Sequence, residues 1–351
     1  MFIKNTLNYF NTLTQKYIFN NYLPKEITTF TELTKDSYAQ NNQNSFIIFK
    51  SLDEIFYLIY STKNLSIISY NLINSQKINE IKKAYNDYIR FFKYFLDNQN
   101  KRELILSISN DNNIKLWNIK NYQCLFNIKN NPYNNIYPSC IFNNNNQTLI
   151  ITNYSTQFMN IYNINGNKIG EIDNGSGDTI FYVENYYYEK LKKNYIIICT
   201  NFMIKSYDFN KKRIYHEYHN VSFSNNNCII KGNEDNIKLI VPCRDNIIRV
   251  WDFNSGELLK NIKIENMPSD YEYNLKCFCD LNDDYIVTGH NNKIINIINI
   301  NNGKIYQKLI GHKNKIIHIQ NIILSNLGEC LVSQGYRDDQ IKIWKLNINF
   351  K

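Results

Sequence analysis

Apolar and polar residues alternate in short runs along most of this chain, and the runs end in recognisable ways. Ile114 to Trp117 reads IKLW, Ile248 to Trp251 reads IRVW and Ile341 to Trp344 reads IKIW. Period-two alternation places successive side chains on opposite faces of a strand. Each run follows a polar turn: DNN from Asp111, DN from Asp245 and DDQ from Asp338. Four weaker copies end at Tyr70, Tyr162, Tyr207 and Ile298. The seven anchors 70, 117, 162, 207, 251, 298 and 344 are therefore separated by 47, 45, 45, 44, 47 and 46 residues.

Each period holds about three strand-like runs with turn residues between them and no helical pattern of useful length. In the last period, Ile316 to Leu324 predicts one strand, Glu329 to Ser333 a second and Ile341 to Trp344 a third. Repeated short strands at this spacing predict an all-β fold: a seven-bladed β-propeller of four-stranded antiparallel blades over residues 23–351. Only seven residues follow Trp344, too few for a turn and an outer strand. The missing strand should come from Ile27 to Leu33, whose β-branched and aromatic content suits it, pairing beside Ile341 to Trp344.

Residues 1–22 follow a different period. Ile3, Leu7, Phe10, Leu13 and Tyr17 recur at steps of 4, 3, 3 and 4, one apolar face of a helix, and Pro24 supplies a stop. A short N-terminal helical extension is expected there, docked on the propeller's side or used for a partner or membrane surface.

Composition narrows the function. The net charge is +9, from 40 Lys and Arg against 31 Asp and Glu, but Lys is spread evenly and only six residues are Arg. Nucleic-acid readers cluster their cations and favour Arg for bidentate contacts, so a solvated surface fits better than RNA binding. Asn is abundant at 62 residues, with runs at Asn143–Asn146 and Asn225–Asn227 that suit turns. Cys140, Cys199, Cys243 and Cys330 lie within apolar runs as small hydrophobes, not in a disulfide framework. With no secretory signal and no apolar run near 18 residues, a cytoplasmic or nuclear protein without a transmembrane segment is expected.

No catalytic constellation stands out. His216-Glu217-Tyr218-His219 has zinc-protease residue types at the wrong spacing, and Cys277-Phe278-Cys279 lacks a second ligand pair. Gly166, Gly170, Gly175 and Gly177 lack the strand-to-helix setting of a phosphate loop. No enzyme activity, cofactor or metal is expected.

On the repeat spacing, the Trp251-Asp252 dipeptide and the Gly311-His312 pair, the chain resembles the WD-repeat β-propeller family over residues 24–351. The resemblance implies a structural tetrad of His312, Ser333, Asp338 and Trp344, with Ser333 one position off the usual offset. It also implies partial tetrads in blade two (Asp111, Ser107 and Trp117, without histidine) and blade six (Thr288). The family's top-face rim maps onto Lys63, Asn110, Ser155, Thr200, Arg244, Asn291 and Arg337, with Lys315 near the channel mouth. No Asp or Glu occupies these positions, so Lys63, Arg244, Lys315 and Arg337 are the expected contacts for an acidic or phosphorylated peptide. The expected function is a non-enzymatic protein-interaction scaffold, within a multi-protein complex. The alternatives are an RNA-binding or ribosome-assembly factor, or the substrate-recognition subunit of a larger complex such as a ubiquitin ligase. Against the last, the Arg that such receptors carry after the dipeptide is replaced by Lys120, Asn210, Asn254 and Asn347.

Overall fold

Alternating segments of this kind bury one edge of each side-chain row only when sheets stack face to face, and the chain does so seven times. The computed structural model describes residues 26–29 and 46–346, apart from 73, 75, 130–138, 154, 156, 176, 201, 222–227, 233–234, 244, 265–274, 325–327 and 337–340. The expected helix at 1–22, residues 30–33, Arg244, Arg337 and Asp338 thus lie outside the described residues.

Each blade runs from the channel outward. Blade 1 comprises β2 (Phe46–Lys50), β3 (Phe56–Ser61), β4 (Ile67–Asn71) and β5 (Gln76–Ile81); β1 is Glu26–Thr29. Blade 2 comprises β6 (Ile89–Asp97), β7 (Arg102–Ser109), β8 (Asn113–Asn118) and β9 (Cys124–Lys129). Blade 3 has β10 (Ser139–Asn144), β11 (Gln147–Asn153), β12 (Phe158–Asn163) and β13 (Lys168–Asp173). Blade 4 has β14 (Ile180–Tyr188), β15 (Lys193–Thr200), β16 (Ile204–Asp208) and β17 (Arg213–Tyr218). Blade 5 has β18 (Ile229–Lys231), β19 (Lys238–Pro242), β20 (Ile247–Asp252) and β21 (Leu258–Lys263). Blade 6 has β22 (Leu275–Asn282), β23 (Tyr285–His290), β24 (Ile294–Asn299) and β25 (Ile305–Ile310). Blade 7 joins β26 (Ile316–Leu324), β27 (Gly328–Gly335) and β28 (Ile341–Lys345) to β1.

All seven sequence anchors fall on third strands. The closure follows the expected route: β1 is the outer strand of blade 7, with Glu26 opposite Trp344 and Thr28 opposite Ile343. The chain's beginning and end hold one another, so no blade is left three-stranded.

The core consists of seven apolar clusters, each filling one seam between neighbouring blades. Phe46, Leu58, Val332 and Ile343 close blades 7 and 1, and Phe92, Ile105 and Trp117 pack with Ile59 between blades 1 and 2. The seam between blades 4 and 5 is aromatic, with Tyr195, Tyr218, Trp251 and Phe253 buried together.

A second repeat becomes visible in the register. In every blade the third and outer strands pair through a bulge just beside the anchor. The extra residues are Ile27, Ile78, Leu125, Ile169, Tyr215, Leu259 and Tyr306, a bulky apolar residue each time. A bulge adds twist and re-aims the extra side chain. Tyr215 and Tyr306 use it to meet Tyr195 and Tyr285 of the second strand, with ring centroids 5.0 and 5.4 Å apart.

In blades 5 and 6 the turn between third and outer strand lies against the preceding blade. His216 Nε2 lies 2.6 Å from the Asn254 carbonyl, and the Lys260 ammonium donates to the Asn301 carbonyl at the equivalent place. His216 and Tyr218 of the HEYH segment thus join blades 4 and 5, while Glu217 and His219 are exposed. Gly303 lies close as well, since a Cβ there would stand 2.2 Å from the Lys263 carbonyl oxygen.

Candidate functional site: the top face and the channel

The top face carries the connections from second to third strand and from each outer strand to the next blade. Two buried polar hubs hold it in shape. In blade 7, Trp344 Nε1 donates to Ser333 Oγ at 2.7 Å, and that hydroxyl lies 2.7 Å from His312 Nε2. Ser333 is wholly buried and His312 nearly so. Ser333 pairs with Lys342 as Ser107 pairs with Lys115, each two residues before its Trp, so the two serines hold the same register position.

Blade 2 builds the same hub without histidine. Trp117 Nε1 donates to Ser107 Oγ at 2.7 Å, and Tyr85 fills the histidine's place. Its hydroxyl donates to the Ser107 carbonyl at 2.8 Å and lies 2.7 Å from Ser107 Oγ. Burial pushes the Tyr85 hydroxyl well above its ordinary pKa, so it stays a neutral donor. The Lys115 ammonium sits 4.4 Å from the centre of the Tyr85 ring and donates to the Ala84 carbonyl. Spacing could have revealed this substitution, because Tyr85 precedes Trp117 by 32 residues, as His312 precedes Trp344. In blade 6, Thr288 Oγ1 instead meets His290 Nε2 of the same strand at 2.8 Å.

The expected contact residues divide. Lys63 is exposed on the second-to-third turn of blade 1. Lys315 is half-buried at the entrance to blade 7, its ammonium 4.3 Å from the centre of the Tyr336 ring. Asn110, Ser155 and Asn291 are partly exposed, and Ser155 Oγ is committed to the amides of Gln157 and Phe158. Thr200 does not belong to the surface at all: it is fully buried, opposite Ile180. Blade 4 closes its turn tightly, with Thr200 N donating to the Met203 carbonyl, so the position before the turn falls inside the strand. The exposed residue there is Phe202, 66% accessible, which the spacing argument missed.

Among the described residues Lys293, Lys313, Lys63, Lys82 and Lys83 are exposed on the turns of blades 6, 7 and 1, and Lys129 and Lys263 at the top ends of the outer strands of blades 2 and 5. Three acidic residues of the face are engaged locally. Asp87 accepts from the Tyr88 amide, Asp111 from the amides of Asn86 and Asn113, and Asp245 pairs with Arg249.

The channel presents a second polar group. Lys93, Cys140 and Glu184 occupy the same register position on the innermost strands of blades 2, 3 and 4. The Lys93 ammonium pairs with Glu184 Oε1, a bond between two blades that are not neighbours, passing in front of blade 3. Tyr182 donates to Glu184 Oε2 at 3.1 Å, and burial together with that carboxylate raises its pKa. Burial likewise pushes up the Cys140 thiol, so it is no nucleophile at neutral pH. Cys277 is buried and Cys279 half-buried, with both thiols raised by burial. No group of three or more metal-ligating side chains occurs among the described residues.

Set against models of known families and against curated proteins, the sequence matches none. What stands is the architecture: seven four-stranded blades closed by an N-terminal strand, a fold generally used as a protein-interaction scaffold.

Proposed function

We propose that this chain is a propeller of the WD-repeat type that acts by binding, and that its top face takes an acidic or phosphorylated peptide of a protein partner. The exposed lysines on the top-face turns of blades 6, 7 and 1 carry this reading. Among the described residues Asp87 and Asp111 of that face accept from backbone amides and Asp245 pairs with Arg249. Phe202 adds an exposed aromatic of the kind that anchors interfaces. Rigid loops on a stiff ring are where binding sites usually lie.

The test uses the intact chain on a resin bearing a phosphoserine-rich acidic peptide, eluted with a salt gradient. Changing Lys63, Lys313 and Lys315 together to Ser should bring elution to markedly lower salt. Elution unchanged from wild type refutes the top-face reading, and stronger retention on poly(U) than on the peptide would favour RNA.

A further inference from the structure

The outer strands of blades 2, 3 and 5 end their pairing on a polar residue, Lys129, Asp173 and Lys263, and those of blades 1 and 4 on half-buried Ile81 and buried Tyr218. At that position blade 6 has Ile310, 64% exposed. Along β25 the exposed positions alternate with buried or half-buried ones, so Tyr306, Lys308 and Ile310 share one face. An apolar, cationic, apolar row therefore stands along an open strand edge. Open edges are normally blunted, because their N–H and C=O groups invite another strand.

Charge sets this edge apart as well. Lys77 is neutralised by Glu80 on blade 1, and Lys168 by Glu171 on blade 3. By contrast Lys260 and Lys263 of blade 5 and Lys304 and Lys308 of blade 6 join no ion pair among the described residues. Beside them Leu258 and Leu259 are 43% and 51% exposed.

We propose that the outer edge of blade 6 docks an extended acidic peptide by strand addition, with a carboxylate opposite Lys308 and apolar side chains opposite Tyr306 and Ile310. Other occupants fit less well. The chain's own first 25 residues carry Lys4, Lys16 and Lys25 and no Asp or Glu, and a second copy would present the same lysines. A lipid surface could use the cations and the apolar residues but would leave the strand's edge N–H and C=O groups without partners. An extended peptide satisfies all three, using the main chain for affinity and alternate side chains for selection.

The experiment is fluorescence anisotropy of the intact chain with a labelled peptide Thr-Val-Thr-Glu-Thr-Val-Thr. Saturable binding is expected, weakened about fivefold or more by Lys308→Glu, the scale of replacing an attractive cross-strand pair by a repulsive one. The same variant should now prefer the peptide with Lys in place of Glu, and Ile310→Ser should weaken both peptides alike. A peptide with central proline should not bind, since it lacks the amide that pairing needs. Equal binding of the proline peptide, or affinities untouched by Lys308→Glu, overturns strand addition. Capture by phosphatidylserine vesicles through Lys308, with no peptide bound, overturns it in favour of a membrane. The Lys63/Lys313/Lys315 variant should bind this peptide like wild type, so failure of the top-face reading would leave this edge standing.

Discussion

If Tyr85 truly replaces histidine in the blade 2 hub, its hydroxyl and that of Ser107 must be energetically coupled. Ser107 Oγ serves two partners inside a fully buried site, Trp117 Nε1 at 2.7 Å and the Tyr85 hydroxyl at 2.7 Å. Ser107→Ala leaves the indole N–H without its acceptor, and an orphaned buried donor costs about 1–3 kcal/mol. Tyr85→Phe keeps the ring, its edge-on contact with Trp117 at 6.5 Å and the stacked Lys115 ammonium, and removes only the hydroxyl. That loss should cost about 1 kcal/mol. Because Ser107 Oγ links both effects, the double variant should cost less than the sum of the singles by about 0.5 kcal/mol or more. Urea unfolding of the three variants and wild type, followed by tryptophan fluorescence, measures the cycle. A Tyr85→Phe loss below about 0.3 kcal/mol, or strict additivity within that margin, would refute the replacement.

Two further outcomes follow from the geometry. Gly303→Ala puts a methyl 2.2 Å from the Lys263 carbonyl oxygen at φ +75°, whereas Gly175→Ala, at φ +70°, meets nothing closer than 3.4 Å. The first should cost at least ~2 kcal/mol more than the second in thermal melts, since only it adds a backbone collision to the left-handed strain of about 1–2 kcal/mol. His318 is buried, and burial alone lowers its pKa to about 3, below the roughly 6.5 of the unfolded chain. Below pH ~6.5 the unfolded state binds the extra proton, so wild type should lose stability on acidification by up to about 1.4 kcal/mol per pH unit. His318→Leu should flatten that slope, and equal slopes for the two proteins between pH 6.5 and 4 would contradict it.

The blades could be counted in the sequence because each third strand is a short alternating run ending on an aromatic or bulky residue. Closure was legible for a related reason, since too little chain follows Trp344 to finish a blade. Features that depend on two distant positions were not legible. The Lys93–Glu184 pair spans 91 residues, and neither residue is unusual where it stands. Tyr85 escaped notice because the hub was sought by residue type when the position, 32 residues before Trp117, was the better guide. The apolar bulge residues were hidden by their phase. Leu259 and Tyr306 sit on outer strands whose patterns look amphipathic and ordinary, and the bulge shows only in the pairing register. Thr200 was misplaced because a rule of position assumes turns of one length, and blade 4 uses a shorter one.

The two tryptophan hubs are not placed at random around the ring. They lie in blades 2 and 7, on either side of blade 1. Blade 7 is where the covalent chain does not hold the ring, because β28 and β1 are its opposite ends. A slip of one residue there would put the pairing of Glu26 and Thr28 with β28 out of register. Trp344 both faces Glu26 across that junction and donates to buried Ser333, so the same residue fixes the closing register and anchors the hub. Elsewhere, as in blade 5, Val241 replaces the hub's serine, and the seam relies on Trp251, Phe253 and their aromatic neighbours. A propeller's stability is close to a sum of its seams, so apolar packing can stand in for a hub wherever the backbone is continuous. Where it is broken, packing without directional bonds would leave the register open, and a buried polar network is the device that specifies it. The exposed lysines of blades 7 and 1 project from the sector between the two hubs, which directional bonds hold as well as packing.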